Sequence, residues 1–321
     1  MQKVCEDQNM ELKYVIAGAG ATGGSIGAFL AADGRNVTFL ARGAQLEAFL
    51  ENGISVKHSA KGDFTVRPLK AMTMEAYREQ PDVIFVCVKS YSLKDVTELI
   101  KRTGGPETVV IPILNIYGTG ERMQKELPDV TVTDGCIYVA AHVSAPGEIT
   151  HGGDIFRVVY GLRPGQKASD AVMKKLARVK EDLDHAGISG EYTDHVRRDT
   201  FRKFMYTSPM AAAGEYYHAQ AGDFQKEGEP RETFIAMDRE LLALSKAMEL
   251  GVPENMVEIN LAILADLSPE AGTSMQRDIA KGRPSEISEL VYAVEDMASA
   301  YGVNMPVYHR VIEELKARGL K

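Results

Sequence analysis

The stretch "YVIAGAGATGGSIG", residues 14–27, narrows the choice of fold more than any other part of the chain. A β-branched run leads directly into Gly18, Gly20 and Gly23, and a helix-forming pattern follows at once. G-x-G-x-x-G in this setting allows a tight turn, lets bare backbone approach a pyrophosphate and packs helix on strand. The first amides of the helix then receive the phosphates. Gly18, Gly20, Ala21, Thr22 and Gly23 are the candidate cofactor contacts here. A merely structural glycine-rich turn is the alternative, because 29 glycines make chance matches easy.

Short apolar strands alternate with helical patterns from Lys13 to about Gly187, in "KYVIA", "NVTFLAR", "DVIFVCVK" and "TVVIPILN". Such near-continuous apolar runs are buried on both faces, which predicts a parallel sheet covered by helices. Between Thr131 and Leu162 the Pro-Gly and Gly-Gly turns and the lack of a helix predict an antiparallel extension of that sheet. After Asp194 the segments 195–218, 231–250, 254–265, 274–281 and 285–301 read as helices, broken at glycine and proline. The expected architecture is α/β: an N-terminal Rossmann-type dinucleotide-binding domain over 12–193 and an all-helical domain over 194–321.

Composition excludes several classes. With 37 Lys and Arg against 45 Asp and Glu, the formal charge of −8 repels nucleic acid and anionic membranes. No apolar run approaches the ~18 residues of a membrane span, and residues 1–11 read as a frayed tail rather than a signal peptide. Cys5, Cys87 and Cys136 are too dispersed for a disulfide framework or a cysteine zinc site, so a cytoplasmic location and no metal are expected. The oligomeric state stays open, a homodimer being one option. There is no G-x-S-x-G elbow and no H-E-x-x-H. His151, in a glycine-rich turn, and His195 and His218, flanking a helix, read as surface or packing residues without a nearby acid.

The end of the second strand bears on which dinucleotide is bound. NAD sites commonly place an acid about 20 residues past the fingerprint, on the ribose 2′-hydroxyl. "TFLARG" instead offers Arg42, whose guanidinium suits a 2′-phosphate. NADP(H) is therefore the expected cofactor, with a solvated surface arginine as the alternative. Lys89 ends the strand "VIFVCVK" on the side where open α/β sheets bind ligands, though a solvated strand-end charge explains it equally well.

In "RDTFRKFMYTSPMAAAG", residues 198–214, Lys203 interrupts an apolar helix face. Alone it reads as a lysine whose stem lies on apolar neighbours and whose ammonium reaches water. Glu286 in "GRPSEI" alone reads as an acid in the first turn of a helix with Pro284 ahead of it, and Ser274 as a local cap.

Together the fingerprint, Arg42, Lys89, the "ILN" strand end at Asn115, the "RKF" helix and "TSMQRDIAKGRPSEI" resemble the ketopantoate reductases, in the same order over nearly the whole chain. The resemblance implies NADPH-dependent reduction of a 2-oxo acid between a Rossmann domain and a helical domain. It implies Lys203 as the catalytic lysine and Glu286 as its partner carboxylate, near enough to the cofactor to count among its contacts. Ser274 would bind the substrate carboxylate, and Asn115 would stand at the nicotinamide end of the cofactor and on the substrate. Gly118 and Glu121 keep part of the family's "N-G-x-G-x-E-E" loop, whereas Ile116 replaces its glycine and Gly120 its first glutamate. Thr207 and Ala211 stand where members carry substrate-binding asparagines, which leaves Thr207 as a candidate contact and puts the substrate in question more than the reaction.

The chemistry fits these residue types. Hydride addition to a ketone puts negative charge on oxygen, so a protonated group must stand within reach and donate. Burial alone discharges a lysine, and a nearby carboxylate keeps it cationic. The implied reaction is 2-dehydropantoate to (R)-pantoate, in pantothenate and coenzyme A biosynthesis. A different branched 2-oxo acid on the same fold, or a non-catalytic NADP(H)-binding sensor, are the other readings.

Overall fold

The computed structural model describes residues 10–321, so Cys5 and most of the expected N-terminal tail lie outside the described residues. The chain divides into two compact units. One runs to Leu114 and resumes over Gly118–Val196; the other comprises Asn115–Tyr117 and Arg197–Lys321.

The first unit opens with β1 (Lys13–Ala17), α1 (Ala21–Ala32), β2 (Asn36–Leu40) and α2 (Gly43–Asn52). Then come β3 (Ile54–His58), β4 (Phe64–Val66), β5 (Ala71–Met72), β6 (Val83–Val86), α3 (Leu93–Thr103), β7 (Val109–Pro112) and α4 (Thr119–Glu126). It closes with β8 (Thr131–Val132), β9 (Asp134–Ala145), β10 (Glu148–Gly161), α5 (Asp170–His185) and β11 (Ser189–Tyr192). Six strands pair in the order β5-β2-β1-β6-β7-β8, all parallel, as expected of runs buried on both faces.

The region 131–162 departs from expectation. Only β8 joins the parallel sheet, while β9 and β10 form an antiparallel pair in a second sheet, ordered β11-β10-β3-β4. There β10 lies parallel to both β3 and β11, so the sheet is mixed. It is not an extension of the first because α1 packs against strands of both sheets. That helix is apolar and small all round, as a fully surrounded helix must be. A Cβ on Gly24 would come within 2.5 Å of Ile149 Cδ1 on β10, so glycine sets how closely the second sheet approaches. His151 lies in the continuous strand β10, not in a turn, and is 1% exposed.

The second unit holds α6 (Val196–Tyr217), α7 (Ala221–Gln225), α8 (Glu229–Ala247), α9 (Met256–Ala265), α10 (Ser274–Ala280), α11 (Ala293–Ala300) and α12 (Pro306–Ala317). A π-helical segment, Ser288–Tyr292, runs directly into α11. The expected helix over 285–301 is continuous from residue 287 to residue 300 but carries this π-turn near its start, and α7 and α12 are additions to the helices read from sequence. Phe201, Phe204, Met205 and Met210 of α6 enter this unit's core with Phe234, Leu241, Val291 and Tyr308. Pro209 lies inside α6, where it cannot donate to the carbonyl one turn back. No helix among the described residues is long and apolar enough to cross a membrane.

Candidate active site

The carboxyl ends of three neighbouring parallel strands, β2, β1 and β6, open onto one cavity of about 380 Å³ in the first unit. Gly18 and Gly20 follow β1, Arg42 follows β2 and Lys89 follows β6, and all four line it. Ala21, Thr22 and Gly23, in the first turn of α1, are not part of this lining.

The glycines divide into two roles. A Cβ on Gly23 would stand 2.3 Å from the Gly18 carbonyl oxygen and 2.8 Å from Ile16 Cγ2, so Gly23 permits helix–strand contact. Gly18 has φ +95, and its Cβ would meet the Val88 amide nitrogen at 2.8 Å. A Cβ on Gly20 would meet nothing within 4 Å. Gly20 is the N-cap of α1 and supplies no side chain to its amides, so an open, donor-rich helix end faces free space. A dinucleotide pyrophosphate fits this arrangement.

Several contributors to the cavity carry no local sequence signal. Gln45 donates to the Ala19 carbonyl at 3.2 Å and accepts from the Gly147 amide at 3.1 Å, which fastens the glycine-rich loop to the hairpin of the second sheet. Tyr91, 54% exposed, offers an aromatic face at the rim. Glu75 shares the lining with Arg42, and its carboxyl is held below the usual range by its own amide and by Thr73, with Arg102 and Arg42 adding to this. The Cys87 thiol also lines the cavity, and burial pushes its pKa up, so it is an inert wall.

Lys203 and Glu286 both belong to the second unit. Lys203 sits two turns into α6 and is partly buried. Glu286 is 7% exposed at the mouth of the π-helical segment, where its carbonyl accepts from the Leu290 amide at 2.8 Å. Pro284 lies ahead of the helix rather than in its first turn, so Glu286 itself stands at the helix N-terminus, where the macrodipole favours an anion. Ser208 Oγ of α6 donates to the Leu290 carbonyl at 2.7 Å, tying the lysine's helix to the segment that Glu286 begins.

Ser274 is not the cap of α10. Thr273 is, in a capping box with Gln276, and the Ser274 hydroxyl takes no part in it. Thr207 Oγ1 donates to the Lys203 carbonyl at 2.8 Å, so its proton is committed within the helix and only its lone pairs face outward chemistry. Ala211 is fully buried. Asn115 groups with Ile116 and Tyr117 in the second unit, where Tyr117 packs edge-on against Phe201 at 4.9 Å.

In the loop where two residues depart from the family pattern, Gly118 caps α4 with φ 76, and Glu121 pairs loosely with Lys125 at 3.5 Å. A Cβ on Gly120 would meet the Thr133 carbonyl oxygen at 2.0 Å and Asp134 Oδ1 at 2.2 Å. No glutamate fits there; the carboxylate beside it belongs to Asp134, which pairs with Arg163 at 3.1 Å.

Of the histidines, His218 does have an acid near it, Glu215 at 4.0 Å, but its side chain is 75% exposed. Glu295, His309 and Glu313 bring three metal-capable atoms within 4.8 Å of one another. Lys316 lies 3.5 Å from Glu295 and 3.3 Å from Glu313, so a cation of the chain already balances these acids.

The sequence matches the family model "Ketopantoate reductase PanE/ApbA" over residues 14–165 and its C-terminal counterpart over residues 195–319. The chain belongs to the ketopantoate reductase family. As a ketopantoate reductase family member it is an oxidoreductase. It is 25% identical to the 2-dehydropantoate 2-reductase of Nostoc sp. over 306 residues, 95% of each protein. The crystal structure of 2-dehydropantoate 2-reductase from Porphyromonas gingivalis W83 superposes with a TM-score of 0.78 at 29% identity, covering 95% of this chain and 99% of that one. A D-mandelate dehydrogenase solved with NADH and anilino(oxo)acetate shares the fold at a TM-score of 0.82 and 19% identity, over 95% and 98% of the two chains.

Proposed function

We propose that this ketopantoate reductase family member reduces a 2-oxo acid to the 2-hydroxy acid with NADPH, 2-dehydropantoate being the foremost substrate and (R)-pantoate the product, in pantothenate biosynthesis. The observation that carries the proposal is the Gly20–Arg42–Lys89 cavity at the strand ends of the first unit; the partly buried Lys203 of the second unit, on a helix tied to the Glu286 segment, supports it. The first unit would hold the dinucleotide, its pyrophosphate over Gly20 and the α1 amides and its 2′-phosphate on Arg42. The second unit would supply the acid chemistry.

When bound, the nicotinamide cofactor supplies a hydride to the carbonyl carbon. The Lys203 ammonium donates a proton to the carbonyl oxygen as negative charge develops there, and recovers a proton from solvent afterwards. Glu286, at a helix N-terminus that favours an anion, would supply the carboxylate that keeps Lys203 charged. Ser274, free of capping duty, would orient the substrate carboxylate, and Asn115 would bind near the reacting end of the cofactor.

A second reading keeps the reaction and changes the acid. It is favoured by the Thr207 hydroxyl bonded back to Lys203 and by the buried Ala211, neither of which can offer the amide of an asparagine. NADPH oxidation followed by absorbance across a panel of 2-oxo acids tests both. Turnover of 2-dehydropantoate above the other acids supports the first reading, preference for another branched acid the second, and no turnover with any acid refutes both.

A further inference from the structure

The π-helical segment follows Glu286 almost immediately, and a side chain from the lysine's own helix is bonded into it. We infer that Ser208 and Tyr308 are positioning residues for the proposed reaction: together they hold the π-turn at Leu290 and through it set the direction of Glu286. The inference rests on the reading of Lys203 and Glu286 given above.

A π-turn inserts one residue into a helix and is uncommon without something to stabilise it. Here the amide of Ala293 reaches back five residues to the Ser288 carbonyl, the bond that defines such a turn. Within the same turn the Leu290 carbonyl accepts from Ser208 Oγ at 2.7 Å, and Ser208 Oγ accepts in turn from the Tyr308 hydroxyl at 2.9 Å. Ser208 and Tyr308 are both fully buried, so these bonds compete with no bulk water. A side chain inserted into the backbone ladder is an established cause of such irregularity.

Tyr308 is itself fixed from a third helix. Both oxygens of the Glu240 carboxylate accept amides at the start of α12, from Val307 at 2.7 Å and Tyr308 at 2.9 Å. The chain of bonds thus runs from α8 to α12, to α6 and to Leu290. Leu290 closes it, because its amide donates to the Glu286 carbonyl at 2.8 Å while its carbonyl takes Ser208.

The geometric consequence follows from helix periodicity. One residue more or less in a helix rotates everything before it by about 100°. If the π-turn relaxed to an α-turn, Glu286 would swing by that amount relative to α11. Its carboxylate could then no longer keep its direction, whereas the cofactor cavity belongs to other elements and would be untouched.

The test is a mutant cycle on the full chain. Ser208→Ala is expected to lower kcat about tenfold with KM for NADPH unchanged within about twofold, and Tyr308→Phe to produce a smaller fall of the same kind. In the Glu286→Gln background, adding Ser208→Ala should change kcat less than about twofold, since the residue acts through the carboxylate already removed. A folded Ser208→Ala enzyme with parental kcat, or the same fold-loss in both backgrounds, overturns the inference. If Ser208→Ala does not fold, the same cycle is read with Tyr308→Phe. If Lys203→Ala and Glu286→Gln both retain full turnover, the proposed mechanism itself fails. If those two are impaired and the cycle is additive, only the positioning role fails.

Discussion

His151 of β10 stacks on His58 of β3, with ring centroids 4.5 Å apart and planes 14° from parallel, at matched positions of two parallel strands. Phe29 and Phe156 pack around the pair. Burial, then the His58 ring and then Lys61, push the His151 pKa down to about 4. His58 is lowered too, by burial and Lys61 against an opposing pull from Asp154, and its Nδ1 accepts the amides of Ala60 and Lys61 at 3.1 Å each.

Both imidazoles bind a proton less readily in the folded protein than in the unfolded chain, so protons favour the unfolded chain. The stability that His151 contributes is complete above the unfolded value of 6.5 and is lost as pH falls toward about 4, and His58 acts in the same direction. Tm should decline across that interval, and His151→Phe should flatten a large part of the decline. A Tm unchanged between those pH values in the parent protein would refute the account.

Two of the three fingerprint glycines should respond oppositely to alanine. Gly23→Ala forces a Cβ to 2.3 Å from the Gly18 carbonyl, and should cost about 1–3 kcal/mol of stability, as overpacking does. Gly20→Ala meets open space, so Tm should hold while the dissociation constant for NADPH rises about tenfold, ~1.4 kcal/mol. Thermal melts and cofactor titration of the two variants separate these outcomes, and a stable Gly23→Ala protein would contradict the packing role.

Arg42 should decide between the phosphorylated and unphosphorylated dinucleotide. Its charge-assisted bonds to a 2′-phosphate are worth on the order of 1.5–3 kcal/mol, so Arg42→Asp should weaken NADPH about ten- to a hundredfold and leave NADH little changed. Glu75 in the same lining opposes a phosphate, so Glu75→Gln should shift preference further toward NADPH. Equal affinities of the parent for the two cofactors would overturn this.

Lys203→Ala should lower kcat about 10² to 10⁴-fold while NADPH affinity stays within about twofold, because in the proposed mechanism the residue acts on the developing oxyanion and not on the cofactor. If Lys203 is only a packed stem with a solvated head, the variant loses some thermal stability and keeps turnover within a few-fold. Single-turnover rates on folded protein with normal cofactor binding distinguish the two.

What was legible in the chain was what local chemistry dictates. The apolar runs ending at Ala17, Leu40 and Val86 announce parallel strands, and the spacing of Gly18, Gly20 and Gly23 announces the turn beyond the first of them, because both depend on residues within one turn or one strand. Lys203 and Glu286 could be singled out only jointly with the fingerprint, since each alone has an ordinary structural explanation. Other features depend on partners distant in sequence, and only tertiary structure decided them. The pairing of β10 with β3 joins residues more than 90 positions apart, so 131–162 built a second sheet around α1 instead of lengthening the first. Gly120 is glycine because Thr133 and Asp134 occupy the space a side chain would need. The π-turn exists where Ser208, 82 residues away, donates to Leu290, and no helical periodicity encodes a hydrogen bond from another helix.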